Sequence, residues 1–153
     1  MKKVAILIGS VTDKDIVMAA DPYFEHFGIE WELHVLSAHR NPDEVGKFAK
    51  NARKNGYGCL IGGAGMAAHL AGALKAHSSL PVIGIPMPGG VSGGMDALLS
   101  TAQMPKGVPV ATVAVGKAGA INAAILCAEM FSLTNDGLAE KLDAFKANGC
   151  KLG

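Results

Sequence analysis

The sequence predicts an α/β sandwich: a parallel sheet of five strands covered by helices. Three observations carry this. Short apolar runs alternate with helix-patterned segments throughout the 153 residues, the signature of successive βα units. Most of the runs are continuous rather than alternating, as in strands buried on both faces. No internal repeat and no linker interrupts the alternation, so residues 1–153 read as one α/β domain, long enough to bury about two-thirds of the surface of its unfolded chain. Right-handed crossovers follow from such parallel units.

The elements follow in order. Val4-Ala5-Ile6-Leu7-Ile8 is a buried strand. Gly9 to Asp13 turns it into a helix reaching about Phe27, in which Ile16, Ala19, Ala20, Tyr23 and Phe27 approach helical spacing. Pro22 is expected to kink or shorten that helix, and Gly28 to close it. Glu30 to Leu36 alternates apolar and polar residues, which marks a strand near the sheet edge. Asn41-Pro42-Asp43-Glu44 is a helix start, with Asn as cap, Pro at the first position and acids in the first turn. That helix runs to Lys54 and stops at Asn55-Gly56.

Tyr57 to Ile61 is the third strand, after which Gly62-Gly63-Ala64-Gly65 reads as a strand-to-helix turn leading into a helix from Ala67 to Ala76. Leu80 to Ile85 is the fourth strand, followed by a long glycine loop, Pro86 to Gly94, and a helix from Met95 to Gln103. Val108 to Val115 is the fifth strand, Ala118 to Leu133 an alanine-rich helix, and 136–148 the final helix. The alanine-rich helix shows more short apolar positions than one buried face needs, so it, or its neighbours, is expected to pack between subunits.

Composition narrows the function classes. Net charge is +1 with both signs scattered, which argues against a nucleic-acid or membrane surface. No apolar run approaches the ~20 residues of a membrane span, and Met1-Lys2-Lys3 runs into a short strand without a secretory cleavage pattern. Cys59, Cys127 and Cys150 form no CxxC pair, and two lie in apolar segments, as thiols of a reducing cytoplasm do. More than half of the 20 glycines fall between Gly56 and Gly94, which points to ligand-facing loops.

In a parallel sheet, ligands bind at the carboxyl ends of the strands. Every chemically interesting stretch lies there: Ser10 to Asp13, Ser37 to Arg40, Gly62 to His69, Pro86 to Gly94 and Gly116-Lys117. Amide groups at the start of the helix after Gly65 suit an anion. Ser10, Thr12 or Asp13 caps the first helix or meets a ligand; a carboxylate repels phosphate, so Asp13 is better placed on sugar hydroxyls. Arg40 is either a surface ion pair or a two-pronged phosphate contact, and its place facing the glycine turn favours the second. His39 and His69, on facing loops with no acid pair nearby, favour proton transfer over metal binding, since no HxH or HxxxH spacing exists. His26, His34 and His77 fall on helix or strand surfaces as bystanders. There is no GxSxG elbow for acyl transfer and no Lys-Ser/Thr after the glycines for a nucleotide P-loop.

These stretches resemble a known family, the carboxyaminoimidazole ribonucleotide mutases of purine biosynthesis (PurE). The resemblance rests on Gly9-Ser10-Val11-Thr12-Asp13, Ser37-Ala38-His39-Arg40, Ala64-Gly65-Met66-Ala67-Ala68-His69-Leu70, Pro81 to Pro86, Asp96 to Thr112 with its Gln103-Met104-Pro105, and Asn122-Ala123-Ala124. Together they span nearly the whole chain in order. The resemblance implies a three-layer α/β/α sandwich of flavodoxin-like or Rossmann-like topology, assembled as a homo-octamer, with neither metal nor organic cofactor. It implies movement of a carboxylate from the exocyclic nitrogen of an aminoimidazole ribonucleotide to a ring carbon. On this resemblance Ser10 and Asp13 bind the nucleotide and Arg40 its phosphate, His39 shuttles the ring proton, and His69 shapes the carboxylate pocket. The motif positions Thr12, Ser37, Ala38, Gly65 and Leu70 complete the substrate-binding set. In this sequence Thr12 stands where the family has serine, Met66 where it has glycine and Ala71 where it has proline, and the loop from Met87 to Gly94 lacks the family's Ser-Ala pair; Met66 is placed to narrow or cover the pocket. The related carboxylases, which use free carbon dioxide, carry Lys at the position of Arg40. A nucleotide-binding protein of the same fold without turnover is the reading from another class, and it would have no need of His39.

Overall fold

A computed structural model describes every residue from Met1 to Gly153. Five parallel strands form one sheet in the order β2-β1-β3-β4-β5. They are β1 (Lys3–Ile8), β2 (Trp31–Val35), β3 (Tyr57–Ala64), β4 (Val82–Pro86) and β5 (Ala111–Thr112). The helices are α1 (Lys14–Val17), α2 (Asp21–Phe27), α3 (Pro42–Asn51), α4 (Leu70–His77), α5 (Met95–Ala102), α6 (Lys117–Ser132) and α7 (Asp136–Ala147). The α/β sandwich expected from the alternation is present, with a core on each face. Val4, Ile6 and Ile8 of β1 point into the larger core with Phe24, Phe27, Ala124 and Phe145, while Ala5 and Leu7 point into the smaller one with Val45, Leu70 and Leu74. The alternation of β1 side chains thus divides one apolar run between two layers of helices.

The order of strands places the site. From β1 the chain moves outward to β2, then returns past β1 to β3. The loops after β1 and β3 therefore leave in opposite directions and open a crevice between them, the switch point at which doubly wound sheets bind ligands.

Several expectations need correction. Gly62 and Gly63 are not in a turn: both lie inside β3, paired with Leu7 and Ile8 on one side and Gly84 and Ile85 on the other. Their smallness serves packing. A Cβ on Gly62 would come within 2.8 Å of the Ala71 backbone, so α4 lies against the sheet only because nothing projects there. The first helix is broken, with 3₁₀ turns at Val11–Asp13 and Met18–Ala20 flanking α1, and Pro22, in the first turn of α2, accompanies the shortening expected of it. Gly28 closes α2 at φ 69°, as expected. Asn41 does not cap α3; its Oδ1 accepts from the Ser37 N–H at 3.2 Å. The fifth strand shrinks from Val108–Val115 to two paired residues, since Pro109 has no N–H to give and β5 is an edge.

Helix α6 spends its apolar surface within the chain. Gly119, Ala120, Ala123, Ala124, Cys127 and Ala128 are buried, and its remaining sides contact α2 and α7. The exposed large apolar side chains include Met66, Val91, Met95 and Leu99, on α5 and the loops after β3 and β4. Cys59 and Cys127 are buried and Cys150 is exposed, all as free thiols. No helix is long and apolar enough to cross a membrane.

Candidate active site

A cavity of about 400 Å³ opens at the carboxyl edge of the sheet, within the size range of small-ligand sites. Three loops line it: Gly9, Ser10, Thr12 and Asp13 after β1; Ser37, Ala38, His39 and Arg40 after β2; and Ala64 to Ala67 with His69 and Leu70 after β3. All ten residues singled out from the sequence, Ser10, Thr12, Asp13, Ser37, Ala38, His39, Arg40, Gly65, His69 and Leu70, meet in this one cavity.

The loop after β1 is a small hydroxyl cluster. Ser10 accepts from the Thr12 N–H at 3.3 Å and its Oγ lies 2.9 Å from Thr12 Oγ1, so it both caps the 3₁₀ turn and presents a hydroxyl to the cavity. Asp13 makes no capping bond, and partial burial raises its carboxyl above the ordinary aspartate range.

The loop after β2 is tied into a tight knot around Ser37. Its N–H donates to Asn41, its carbonyl accepts from the Asn41 N–H at 2.8 Å, and its hydroxyl accepts from the Arg40 N–H at 3.3 Å. The serine thus shapes the loop that presents His39 and Arg40. The Arg40 side chain is exposed and joins no ion pair; the three pairs of the molecule are Lys3–Glu32, His34–Glu32 and Lys146–Glu129. Its guanidinium is free to meet a ligand.

His39 and His69 face each other across the cavity, with His39 Nε2 2.8 Å from His69 Nδ1 and the rings edge to face at 4.9 Å. Such a bond holds one proton between two nitrogens, so one ring donates while the other accepts. No three His, Cys, Asp or Glu side chains converge as a metal-ligand group.

The turn after β3 differs from what its glycines suggest. Met66 takes the left-handed conformation at φ 49°, and its side chain is 68% exposed, so it borders the cavity without plugging it. The helix proper starts at Leu70, with His69 as its cap residue. Two of the amides expected to meet an anion are already engaged: Ala68 N–H donates to Ser100 Oγ at 2.9 Å and His69 N–H to the Ala67 carbonyl at 2.9 Å. The N–H groups of Gly65, Met66 and Ala67 stay free, beside the side-chain donors of the loops after β1 and β2. Ser100 had no signal of its own in the sequence, because it reaches the turn from α5, 32 residues away. His34 is not a bare surface residue either; half-buried, it contacts Glu32, Tyr57 and Phe48 and does not line the cavity.

A switch-point cavity with clustered hydroxyls, a free guanidinium and a hydrogen-bonded imidazole pair defines a class: an α/β enzyme built for an anionic small molecule that needs a proton moved. Comparison with known proteins narrows the class. The sequence model of the AIR carboxylase family matches residues 3–151, and the chain belongs to that family. It is 42% identical to the N5-carboxyaminoimidazole ribonucleotide mutase of Haemophilus influenzae, over 95% of this chain and 89% of that protein. The enzyme of the same name from Bacillus subtilis is 45% identical over 95% of this chain and 90% of its own length. Among solved structures, Treponema denticola PurE superposes with a TM-score of 0.86 at 27% identity, covering 96% of this chain and 90% of that one.

Proposed function

We propose that this protein is an isomerase of purine biosynthesis that converts N5-carboxyaminoimidazole ribonucleotide to the 4-carboxy isomer. One N–C bond breaks and one C–C bond forms, and the proton displaced from the ring carbon ends on the exocyclic nitrogen. An imidazole that gives a proton to the nitrogen as carbon dioxide leaves, then takes one from the ring carbon after it adds, finishes in its starting state. His39 has this role, and His69 shapes the pocket for the migrating carboxylate and carbon dioxide. Ser10, Thr12 and Asp13 hold the ribose side of the nucleotide and Arg40 grips its phosphate, with Ser37, Ala38, Gly65 and Leu70 forming the walls. The reaction needs no metal and no organic cofactor.

The observation that carries this reading is the 2.8 Å His39–His69 contact beside the unpaired Arg40 in one cavity. The test supplies purified protein with the carboxyamino nucleotide or with aminoimidazole ribonucleotide plus bicarbonate. Turnover of the first is expected. Turnover confined to the second would make the protein a carboxylase, and binding without turnover of either would make it a nucleotide-binding protein. We further place the protein in the cytoplasm and read it as a homo-octamer. The exposed Met66, Val91, Met95 and Leu99 support self-association near the cavity rim. Light scattering at micromolar concentration checks the assembly, and a fully active monomer would refute it.

A further inference from the structure

We propose that Ser100 is a positioning residue for the histidine pair: from α5, its hydroxyl clamps the turn from Met66 to Ala68 and so holds His69 against His39. This deepens the functional reading above and, for its kinetic part, rests on it.

Ser100 Oγ accepts the Ala68 N–H at 2.9 Å, and its one proton lies within reach of three carbonyls, Asp96 at 2.7 Å, Met66 at 3.2 Å and Ala97 at 3.3 Å. A single half-buried hydroxyl therefore grips both sides of Ala67. The segment it grips is one that would not hold its shape alone. Met66 sits at φ 49°, a region that side-chain-bearing residues populate only under constraint. Ala68 is 2% exposed, so without Ser100 its N–H would be buried with no acceptor. The next residue is His69, whose ring has one polar partner, His39. Serine in mid-helix gains nothing from bonding its own i−4 carbonyl, since that carbonyl already serves the helix. The Ala68 and Met66 contacts give the hydroxyl its reason.

Helix α5 is itself fixed. Asp96 at its start accepts from Val91 N–H at 3.2 Å and Ala97 N–H at 2.9 Å, so the clamp pulls from a secured base. The other ionisable side chains facing the pair are Asp13, from the loop after β1, and Arg40, from the loop after β2; α5 contributes none to the cavity.

The test compares the unaltered protein with Ser100→Ala and Ser100→Thr by two measurements. Histidine side-chain ¹⁵N NMR reads the pair directly, as the ¹⁵N–¹⁵N coupling across the hydrogen bond between His39 Nε2 and His69 Nδ1, and needs no substrate. The coupling should be present in the unaltered protein and lost in Ser100→Ala. Steady-state kinetics should show kcat lowered about 10-fold or more with KM changed less than about threefold, because a slightly misplaced group loses rate while the phosphate grip stays. Ser100→Thr keeps the hydroxyl and should restore both. A retained coupling in Ser100→Ala overturns the proposal whether or not kcat falls, and a lost coupling with unaltered kcat overturns its kinetic part. If Ser100→Ala does not fold, Ser100→Cys, of similar size but a weak acceptor, carries the same two outcomes. If the unaltered protein turns over neither substrate, the functional reading fails, and the coupling alone decides the role of Ser100.

Discussion

Two polar clusters occupy opposite ends of the same sheet and are built on opposite principles. Near the amino end, Lys3, Glu32 and Tyr57 satisfy one another, with His34 joining Glu32 from further along β2. Glu32 accepts from Lys3 at 2.5 Å, from the Tyr57 hydroxyl, and meets His34 at 3.2 Å, while the Lys3 ammonium also lies 4.5 Å from the Tyr57 ring centre. At the carboxyl end, Arg40 has no ion-pair partner, Asp13 makes no capping bond, and the two imidazoles have only each other. A polar group whose partners are all in the chain contributes to folding; one whose partners are missing is held ready for a ligand. The amino-end cluster should therefore answer to stability measurements and the carboxyl-end cluster to activity measurements.

The sharpest break of that contrast is His39→Asn. Removing a positioned acid–base group should cut turnover by about 10²–10⁴-fold. Nucleotide binding should persist, and thermal unfolding should stay close to that of the unaltered protein because His39 is exposed. Near-native turnover in this variant would sink the assignment of the proton carrier.

Arg40→Ala comes next. A charged hydrogen bond contributes about 1.5–3 kcal/mol, so losing the guanidinium should weaken apparent affinity by roughly 10- to 100-fold while bound substrate reacts at a similar rate. Unchanged KM at moderate salt would mean that the phosphate lies elsewhere.

The same contrast explains what could be read from the sequence. Both ends of the first strand were legible, because a continuous apolar run and the small polar residues after it each signal locally. All ten candidate residues converge because topology delivers every carboxyl-end loop to one edge, so the α/β pattern alone was enough to gather them. What could not be read was the meaning of a small residue or a hydroxyl that acts on a distant element. Gly62 looks like a turn and is a packing site for α4, since its tightest neighbour is Ala71. Asn41 looks like a cap and instead ties the loop at Ser37. Ser100 looks like any helical serine. In each case the partner is chosen by tertiary contact, which local pattern does not carry.

Glu32 tests the amino end. Its hydrogen bonds, chiefly from Lys3 and then from Tyr57, lower its carboxyl to about 2 from an ordinary 4.5. A depressed carboxylate stabilises the fold above its unfolded-state value, so this contribution is complete above about pH 4.5 and is lost as pH falls toward 2. Because the side chain is 36% exposed, solvent screening holds the effect to about 1 kcal/mol. Glu32→Gln should lower unfolding stability by about that amount at pH 7, the gap closing as pH drops below 4.5, with activity unaltered. Urea melts at pH 7, 4.5 and 3 check it; a gap that widens on acidification would contradict the direction of the shift, and lost turnover would erase the contrast between the two ends.

The smallest expected effect is at Met66, the one non-glycine residue lining the cavity with left-handed backbone. Strain at such a residue costs on the order of 1 kcal/mol, which glycine would relieve. Glycine also frees the unfolded chain, at a cost of about 0.4–1 kcal/mol. The side chain adds little to either side, since at 68% exposure it buries too little apolar surface to matter. Met66→Gly should therefore shift unfolding stability by less than about 0.5 kcal/mol in either direction. Its effect on KM should be within about threefold, because the side chain borders the opening and leaves the His39–His69 contact alone. A gain well above 1 kcal/mol would mean that the turn is held against its own preference chiefly by the Ser100 hydroxyl, and that strain is stored at the carboxyl end while the amino end is relaxed. A large fall in KM would instead show that Met66 stands in the path of the substrate, as its position in the motif suggested.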